Sequence, residues 1–530
     1  MRRITGMAIA SFIGIGTVFA GTGIVGAAED GSVIINETTF PDQIFRAYVS
    51  ENIDKDKNGE LSKSEIDSMI EMDVSEKNIE SLQGMEYLTA LKEVDCSSNK
   101  LSSIDLSKNI ALEKISVKSN NLSSIDIKNN VNLEYFVCSR NNISTLDVSA
   151  NTRLKVIGAT GNNLTGIDVS NNTALGYLYL DENTIDSVDL SNNKELVELY
   201  LNQCGISSLD LSNNTKLVQL SLVDNNLTAL DITMCPDIEY LDFSGGKMTN
   251  VDLSKDIALD QLFCNDTPLE SLDLSKNTNL TQMDCRNVGL ESLDLSNNKQ
   301  LFALVADGNN FKSLDLSNNI YLNAISVSGN KLTSLDVSKN PDLAVLICSE
   351  NSLCALDLTA NKKLQTNSAF KDQRATAVSV NGEVDIMSLE PNIKPENIKD
   401  VEGAEISGSK FINIKGDTIT YNYVCAAEGE NEMIMNVILT VSEQPSEDPS
   451  EDPSENPSEN PSDTPGSDNA ESEQNGDGSA KDDPAGKSSA ETPKNPGTGD
   501  NNALSWIAVA GAMGAVIVVT LLVNRKIKDN

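Results

Sequence analysis

A step of 21 residues, repeated without insertion or deletion, is the feature that most constrains this chain. Counted from Leu91, it lands on Leu112, Leu133, Leu154, Leu175, Leu196, Leu217, Ile238, Leu259, Leu280, Leu301, Leu322, Leu343 and Leu364. Within each of thirteen units, offsets 0, 3, 5, 10, 13 and 15 are apolar, and the unit reads LxxLxLxxNxLxxLDLxxNxx. A unit this short cannot bury its apolar side alone. Stacked on neighbours of the same pattern it closes a continuous core, so the period dictates a solenoid. One coil is a short parallel strand, a turn and a return path. A 21-residue coil leaves too few residues for a full helix on the return side, which is expected to be extended or 3₁₀. Coils about 4.8 Å apart make a rod or shallow arc roughly 60 Å long. Each inward leucine contributes roughly 1.5–3 kcal/mol before entropy is subtracted.

The unit is the leucine-rich repeat signature, L-x-x-L-x-L-x-x-N/C-x-L. Over residues 91–365 the chain resembles the short bacterial type found in internalin-like surface proteins. The implied fold is a parallel β-ladder superhelix. Asn99, Asn120, Asn141, Asn162 and Asn183 are expected inside the strand-to-loop corner, where their amides satisfy backbone groups leaving the ladder. Cys204 stands at the same offset, and Gly246, Thr267 and Val288 depart from it. An aspartate column, Asp105 to Asp357, is complete and faces outward between two inward residues. Stacked like charges repel, so each carboxylate needs a local partner. The following Ser and backbone N–H groups supply one; a ladder of divalent-cation sites is the functional alternative. Five cysteines, Cys96, Cys138, Cys264, Cys285 and Cys348, take inward offset 5. They read as small core hydrophobes, not as a disulfide framework.

Strand alternation turns offsets 2, 4 and 6 onto the concave face. The middle coils place Tyr135, Tyr177, Tyr179, Tyr200, Tyr240 and Phe263 there, five of the ten tyrosines in the chain. Exposed aromatics bring large contact area at low entropy cost. These six are the candidate partner-binding residues; the competing reading is that tyrosine suits a strand surface and packs on its neighbours.

Before the solenoid, residues 29–90 carry DKDKNGELSKSE at 54–65, which matches the EF-hand calcium loop. Asp54, Asp56 and Asn58 supply side-chain oxygens, Glu60 its carbonyl, and Glu65 closes the site. Gly59 makes the sharp turn and Ser62 holds a water. Helices are expected on both sides, over PDQIFRAYVSENI and SKSEIDSMIEM, giving a small α-helical cap with one calcium ion. Residues 72–90 look like a degenerate repeat joining cap to solenoid. After the period stops, residues 366–442 alternate as strands, with hairpins expected at TAVSV-NG-EVDIM and KFINI-KGD-TITYNYV. A small C-terminal β-sandwich, immunoglobulin-like in size, follows from that pattern.

Both ends read as processing signals. Residues 1–28 have a basic start, an apolar stretch and small residues before cleavage near Ala27 or Ala28, as in a secretory signal peptide. Residues 443–494 hold Pro every fourth position from Pro445 to Pro465, followed by Ser, Asp, Glu and Gly, and form a disordered spacer. Residues 495–530 put NPGTG, then the uncharged span 503–523, then the basic tail NRKIKDN. That order resembles the LPxTG-type sorting signal of Gram-positive surface proteins, here Asn495, Pro496, Gly497, Thr498 and Gly499, with Asn495 where that motif carries leucine. The resemblance implies a sortase that joins Thr498 to peptidoglycan or another cell-wall amine, on the extracellular face of the cell.

Composition then narrows the function. The chain has no histidine, which removes Ser-His-Asp and Cys-His catalysis and His-ligated zinc. A formal charge of −39 disfavours nucleic acid and anionic membrane surfaces as partners. The function these features imply is a wall-anchored binding protein, adhesin- or internalin-like, that presents its repeats to a host or matrix protein or a glycan. A surface-attached carboxylate hydrolase and a passive wall-structure protein are the alternatives.

Overall fold

The structure, a computed structural model, describes residues 31–365, 368–428 and 431–444. The predicted signal peptide, nearly all of the spacer, the Asn495–Gly499 motif and the apolar span 503–523 lie outside the described residues. Among the described residues no helix is long and apolar enough to cross a membrane.

Two short strands and two helices precede the ladder. Strand β1 (Val33–Ile34) pairs antiparallel with β2 (Glu60–Leu61), and helices α1 (Gln43–Asn52) and α2 (Lys63–Ser68) flank the loop. Asp42 caps α1 with one carboxylate oxygen on the Ile44 and Phe45 N–H groups. Its other oxygen accepts from Glu80 and Ser81, which ties the helix start to the first coil. Phe45 and Val49 face inward at helical spacing and are fully buried.

The second helix is shorter than expected. It stops at Ser68 because residues Glu71–Asp73 join the ladder as β3, in register with Glu93–Asp95. Residues 72–90 are therefore most of a true first coil. Met72 pairs with Val94, a step of 22 residues, and that single extra residue hides the coil from a strict 21-residue count. Stepping back by 21 from Leu91 reaches Ile70, which is 47% exposed.

The ladder is one fourteen-stranded parallel sheet running from β3 to β16 (Val345–Ile347) in strict sequence order. Each later strand pairs with the one 21 residues away, as Leu220 with Leu241. The return side is extended chain punctuated by turns. The 3₁₀ alternative appears once in the solenoid, at Met85–Tyr87 in the irregular first coil.

Two asparagine columns replace the hydrogen bonds that the return path cannot make with itself. In the corner column, Asn120 Oδ1 accepts from Leu101 N–H at 3.0 Å, and Nδ2 donates to the Cys96 and Val117 carbonyls. Asn99, Asn141, Asn162 and Asn183 repeat this bridge between coils. In the second column, Asn130 Nδ2 donates to the Leu106 and Asn109 carbonyls, at 3.1 and 2.9 Å. Counted from Leu91, Cys235 and Asp256 interrupt the second column in units seven and eight; Gly246, Thr267 and Val288 interrupt the first in units eight, nine and ten.

The aspartate column faces solvent and satisfies itself locally. In all thirteen units its Oδ1 accepts the backbone N–H two residues on. For Asp210 the bond from Ser212 N–H holds the carboxyl below its usual range. Asp210→Ala is expected to lower the urea midpoint slightly, since the Ser212 N–H then loses its acceptor to water. All nine cysteines are free and buried, and burial raises their thiols.

The C-terminal domain has a four-stranded sheet, β17 (Gln373–Ser379) beside β23 (Asn431–Glu443), β22 (Thr418–Glu428) and β19 (Ile398–Glu402). A three-stranded sheet places β18 (Val384–Asp385) beside β21 (Lys410–Ile412) and β20 (Glu405–Ser407). The Asn-Gly turn forms, with Asn381 and Gly382 both at positive φ. It closes only the Val380–Glu383 bridge before the chain changes sheets. The second expected hairpin does not form. Strands β21 and β22 lie in different sheets, and Lys410–Ile412 pairs back onto β20. The domain docks on the last coil through Tyr421 Oη to the Cys354 carbonyl at 2.9 Å and Leu358 N–H to the Cys425 carbonyl at 3.0 Å.

Candidate binding face and calcium loop

Alternation along three-residue strands buries the middle residue and turns its two neighbours outward. Tyr135 and Tyr177 stand exposed there, at 39% and 37%. The other four predicted aromatics are half-buried. Tyr179 meets Tyr200 edge-on with centroids 5.3 Å apart, and Tyr240 lies 5.5 Å from Phe263. Tyr179 Oη donates to Glu198 at 2.6 Å and Tyr200 Oη to Gln219 at 2.7 Å. The expected single aromatic patch is thus two ring pairs leaning on the next coil, plus two exposed rings. The cause is attraction between rings one coil apart, edge-to-face for Tyr179 and Tyr200 and tilted by 40° for Tyr240 and Phe263.

Between the exposed rings is a notch of about 450 Å³. Two rows line it in register: Tyr135, Val156 and Tyr177 along one side, and Val137, Gly158 and Tyr179 along the other, so that Gly158 leaves its deepest point. Lys118 and Asp181 lie on its rim. Burial raises the Asp181 carboxyl, which accepts from Asn202 N–H and Thr160 Oγ1. Toward the N-terminus a second recess, about 490 Å³, shares Ser116 and Tyr135 with the notch and carries Glu71, Asp73, Glu93 and Asp95. Its one basic residue, Lys114, is spent on Glu93 at 2.8 Å. Sequence reasoning missed both recesses. For the notch the available signal was a short pair of outward residues, Val156 and Gly158, in a coil with tyrosines in the coils before and after it.

Further along the face the carboxylates are engaged. Arg286 holds Asp284 through Nε at 3.0 Å and Nη2 at 2.7 Å. Asp307 accepts from Ser326 Oγ and Ser328 N–H, and Asp242 from Ser244 N–H.

In the cap, Asp54, Asp56 and Glu65 bring one carboxylate oxygen each within 4.8 Å of one another, and this is the one such cluster among the described residues. The aspartate column makes none. Asp54 accepts from Asn58 and Gly59 N–H, and Asn58 Oδ1 from Glu60 N–H, so the loop curls around its own acids. Gly59 has φ 86°, the left-handed turn the motif requires. Glu65 is fixed by Lys55 N–H at 2.6 Å and by the Ser62 N–H and hydroxyl. Burial pushes its carboxyl up, but these bonds outweigh it and hold it low. Leu61 is fully buried, and β2 pairs with β1 where a second hand's strand is usual. The five predicted ligands therefore sit in one loop, in a donor set that suits a hard dication.

No family model and no curated protein matches the chain. Solved structures do. The functional domain of InlJ from Listeria monocytogenes, described as including a cysteine ladder, is 26% identical, with a TM-score of 0.66; the match covers 78% of this chain and 99% of that one. An internalin (inlF) from the same species is 21% identical, with a TM-score of 0.52, over 62% of this chain and 95% of that one. A leucine-rich repeat protein from Leptospira interrogans is 19% identical, with a TM-score of 0.51, over 62% and 92%. The last two likenesses concern the fold alone. With its 21-residue register and unbroken parallel ladder, the chain has the leucine-rich repeat fold, and its solenoid is similar to those of Listeria internalins.

Proposed function

We propose that this is a cell-surface binding protein whose concave ladder face engages a protein partner. The observation that carries the reading is the run of aromatic side chains on that face from Tyr135 to Phe263, on a continuous fourteen-strand sheet. A long rigid face suits a macromolecule better than a small substrate. On the same face Asp242, Asp284 and Asp307 are each held by local donors, which suits a fixed binding surface. The full-length chain is expected to bind cultured cells or immobilised matrix proteins saturably. A Tyr177→Ala, Tyr179→Ala, Tyr200→Ala variant is expected to bind at least tenfold more weakly at a temperature where circular dichroism shows it fully folded. Equal binding by that variant would remove the concave face as the site.

The same reading includes secretion and wall anchoring. A sortase breaks the Thr498–Gly499 bond and joins the Thr498 carbonyl to a cell-wall amine, a group of peptidoglycan or another wall polymer. Mass spectrometry of wall digests is expected to show a cross-linked peptide ending at Thr498. Intact chain containing Trp506 in the membrane fraction, with none in the wall, would contradict it. One calcium ion completes the proposal, held by Asp54, Asp56, Asn58, the Glu60 carbonyl and Glu65 and stiffening the cap.

A further inference from the structure

Resting on the binding-face reading, we infer that the partner offers an extended segment with two features: an aromatic or large aliphatic side chain that enters the Gly158 notch, and lysine or arginine residues that enter the acidic recess beside it. The two recesses adjoin, since Ser116 and Tyr135 line both.

The notch exists because three side chains are missing or turned away. Gly158 has none. Val156 is short. Tyr179, which would otherwise cover the floor, leans to the next coil through its bond to Glu198 and its edge contact with Tyr200. A Cβ at Gly158 would sit 3.1 Å from Val137 Cγ2, so any other residue there fills the floor. Tyr135 and Tyr177 are two coils apart, about 9.6 Å at the usual strand spacing. Val156 lies in register between them, so one flat or branched apolar group can rest over Val156 and Gly158 in contact with both rings.

The acidic recess selects the rest. Glu71, Asp73, Glu93 and Asp95 line it, and the single lysine is already paired with Glu93. An anionic segment would meet uncompensated like charge, in a chain that already carries −39. A basic segment gains attraction and faster encounter. From the Gly158 coil to the middle of the four acidic residues is about three and a half coils, or about 17 Å. Extended chain covers this in about five residues, which sets the spacing between anchor and basic group.

The test uses the full-length chain and a fluorescein-labelled synthetic peptide: three consecutive basic residues, a four-residue Gly-Ser spacer and a tryptophan. Anisotropy titration is expected to show saturable binding that weakens at least tenfold with each of three changes: Trp to Ala in the peptide, Gly158→Leu, and the Asp73→Asn, Asp95→Asn pair. Binding is also expected to weaken as salt rises. Should Gly158→Leu lower the melting temperature, the Tyr135→Ala, Tyr177→Ala variant replaces it, since both rings are exposed. No saturable binding, or binding indifferent to the notch variants, overturns the inference. So does salt-independent capture of a neutral oligosaccharide that Gly158→Leu abolishes, with no peptide bound. If cell binding falls with the triple tyrosine variant but not with Gly158→Leu, this inference fails and the binding-face reading stands. If neither change matters, both fail.

Discussion

Replacing Asp256 by asparagine is expected to stabilise the solenoid by about 3 kcal/mol at pH 8. Asp256 occupies a slot in the second asparagine column, with no exposed surface and neither carboxylate oxygen hydrogen-bonded. One coil later, Asn277 Nδ2 in the equivalent slot donates to the Leu253 and Asp256 carbonyls at 3.1 and 2.8 Å. The same register points the Asp256 carboxylate at the Ile232 and Cys235 carbonyls, oxygen against oxygen. An amide there regains two bonds at about 1 kcal/mol each and removes an unpaired buried acceptor. Burial first, then the Asp252 charge, pushes the Asp256 carboxyl up to about 7. The folded chain thus holds this proton more tightly than the unfolded chain, whose aspartates titrate near 3.9. Stability that Asp256 leaves intact below about pH 4 is lost as pH rises to about 7 and stays lost above. The gain from Asp256→Asn is therefore full at pH 8 and shrinks toward pH 4, while Asn319→Asp is expected to create the same defect in a coil that lacks it. Urea unfolding at both pH values measures this. A gain independent of pH, or no gain, would show that the carboxyl has a partner in its slot.

Calcium is expected to bind the full-length chain at one site, with at least a hundredfold loss of affinity in Glu65→Gln or Asp54→Ala. Three carboxylates within 4.8 Å repel one another until a dication joins them. At a free concentration a hundred times the dissociation constant, the ion adds about 2.7 kcal/mol to the stability of whatever unfolds with the loop. That includes the first coil, because Asp42 of the cap binds the Glu80 and Ser81 amides. Calorimetric titration and melting with and without chelator read both effects. Absence of binding heat together with an unchanged melting curve would end the calcium reading.

The parts of this protein that were legible in the sequence are those set by neighbours at a fixed distance along the chain. A coil touches only the coil before and after it, so one 21-residue step fixes strand register, inward leucines and corner asparagines together. The loop at 54–65 was legible for a related reason: its acids, glycine and capping glutamate act within twelve residues. What the tertiary structure decided lies where side chains choose between neighbours. The extra residue in the first coil shows only once Met72 is paired with Val94. The C-terminal strands alternate as strands should, but which sheet each joins depends on cross-chain pairing that alternation does not encode. Tyr179 and Tyr135 both face outward by strand alternation, yet one is held by Glu198 and Tyr200 and the other stands exposed beside Val156. Period and alternation determine which way a side chain faces; the size and polarity of residues one coil away determine what it does there, and only the folded ladder brings those residues together.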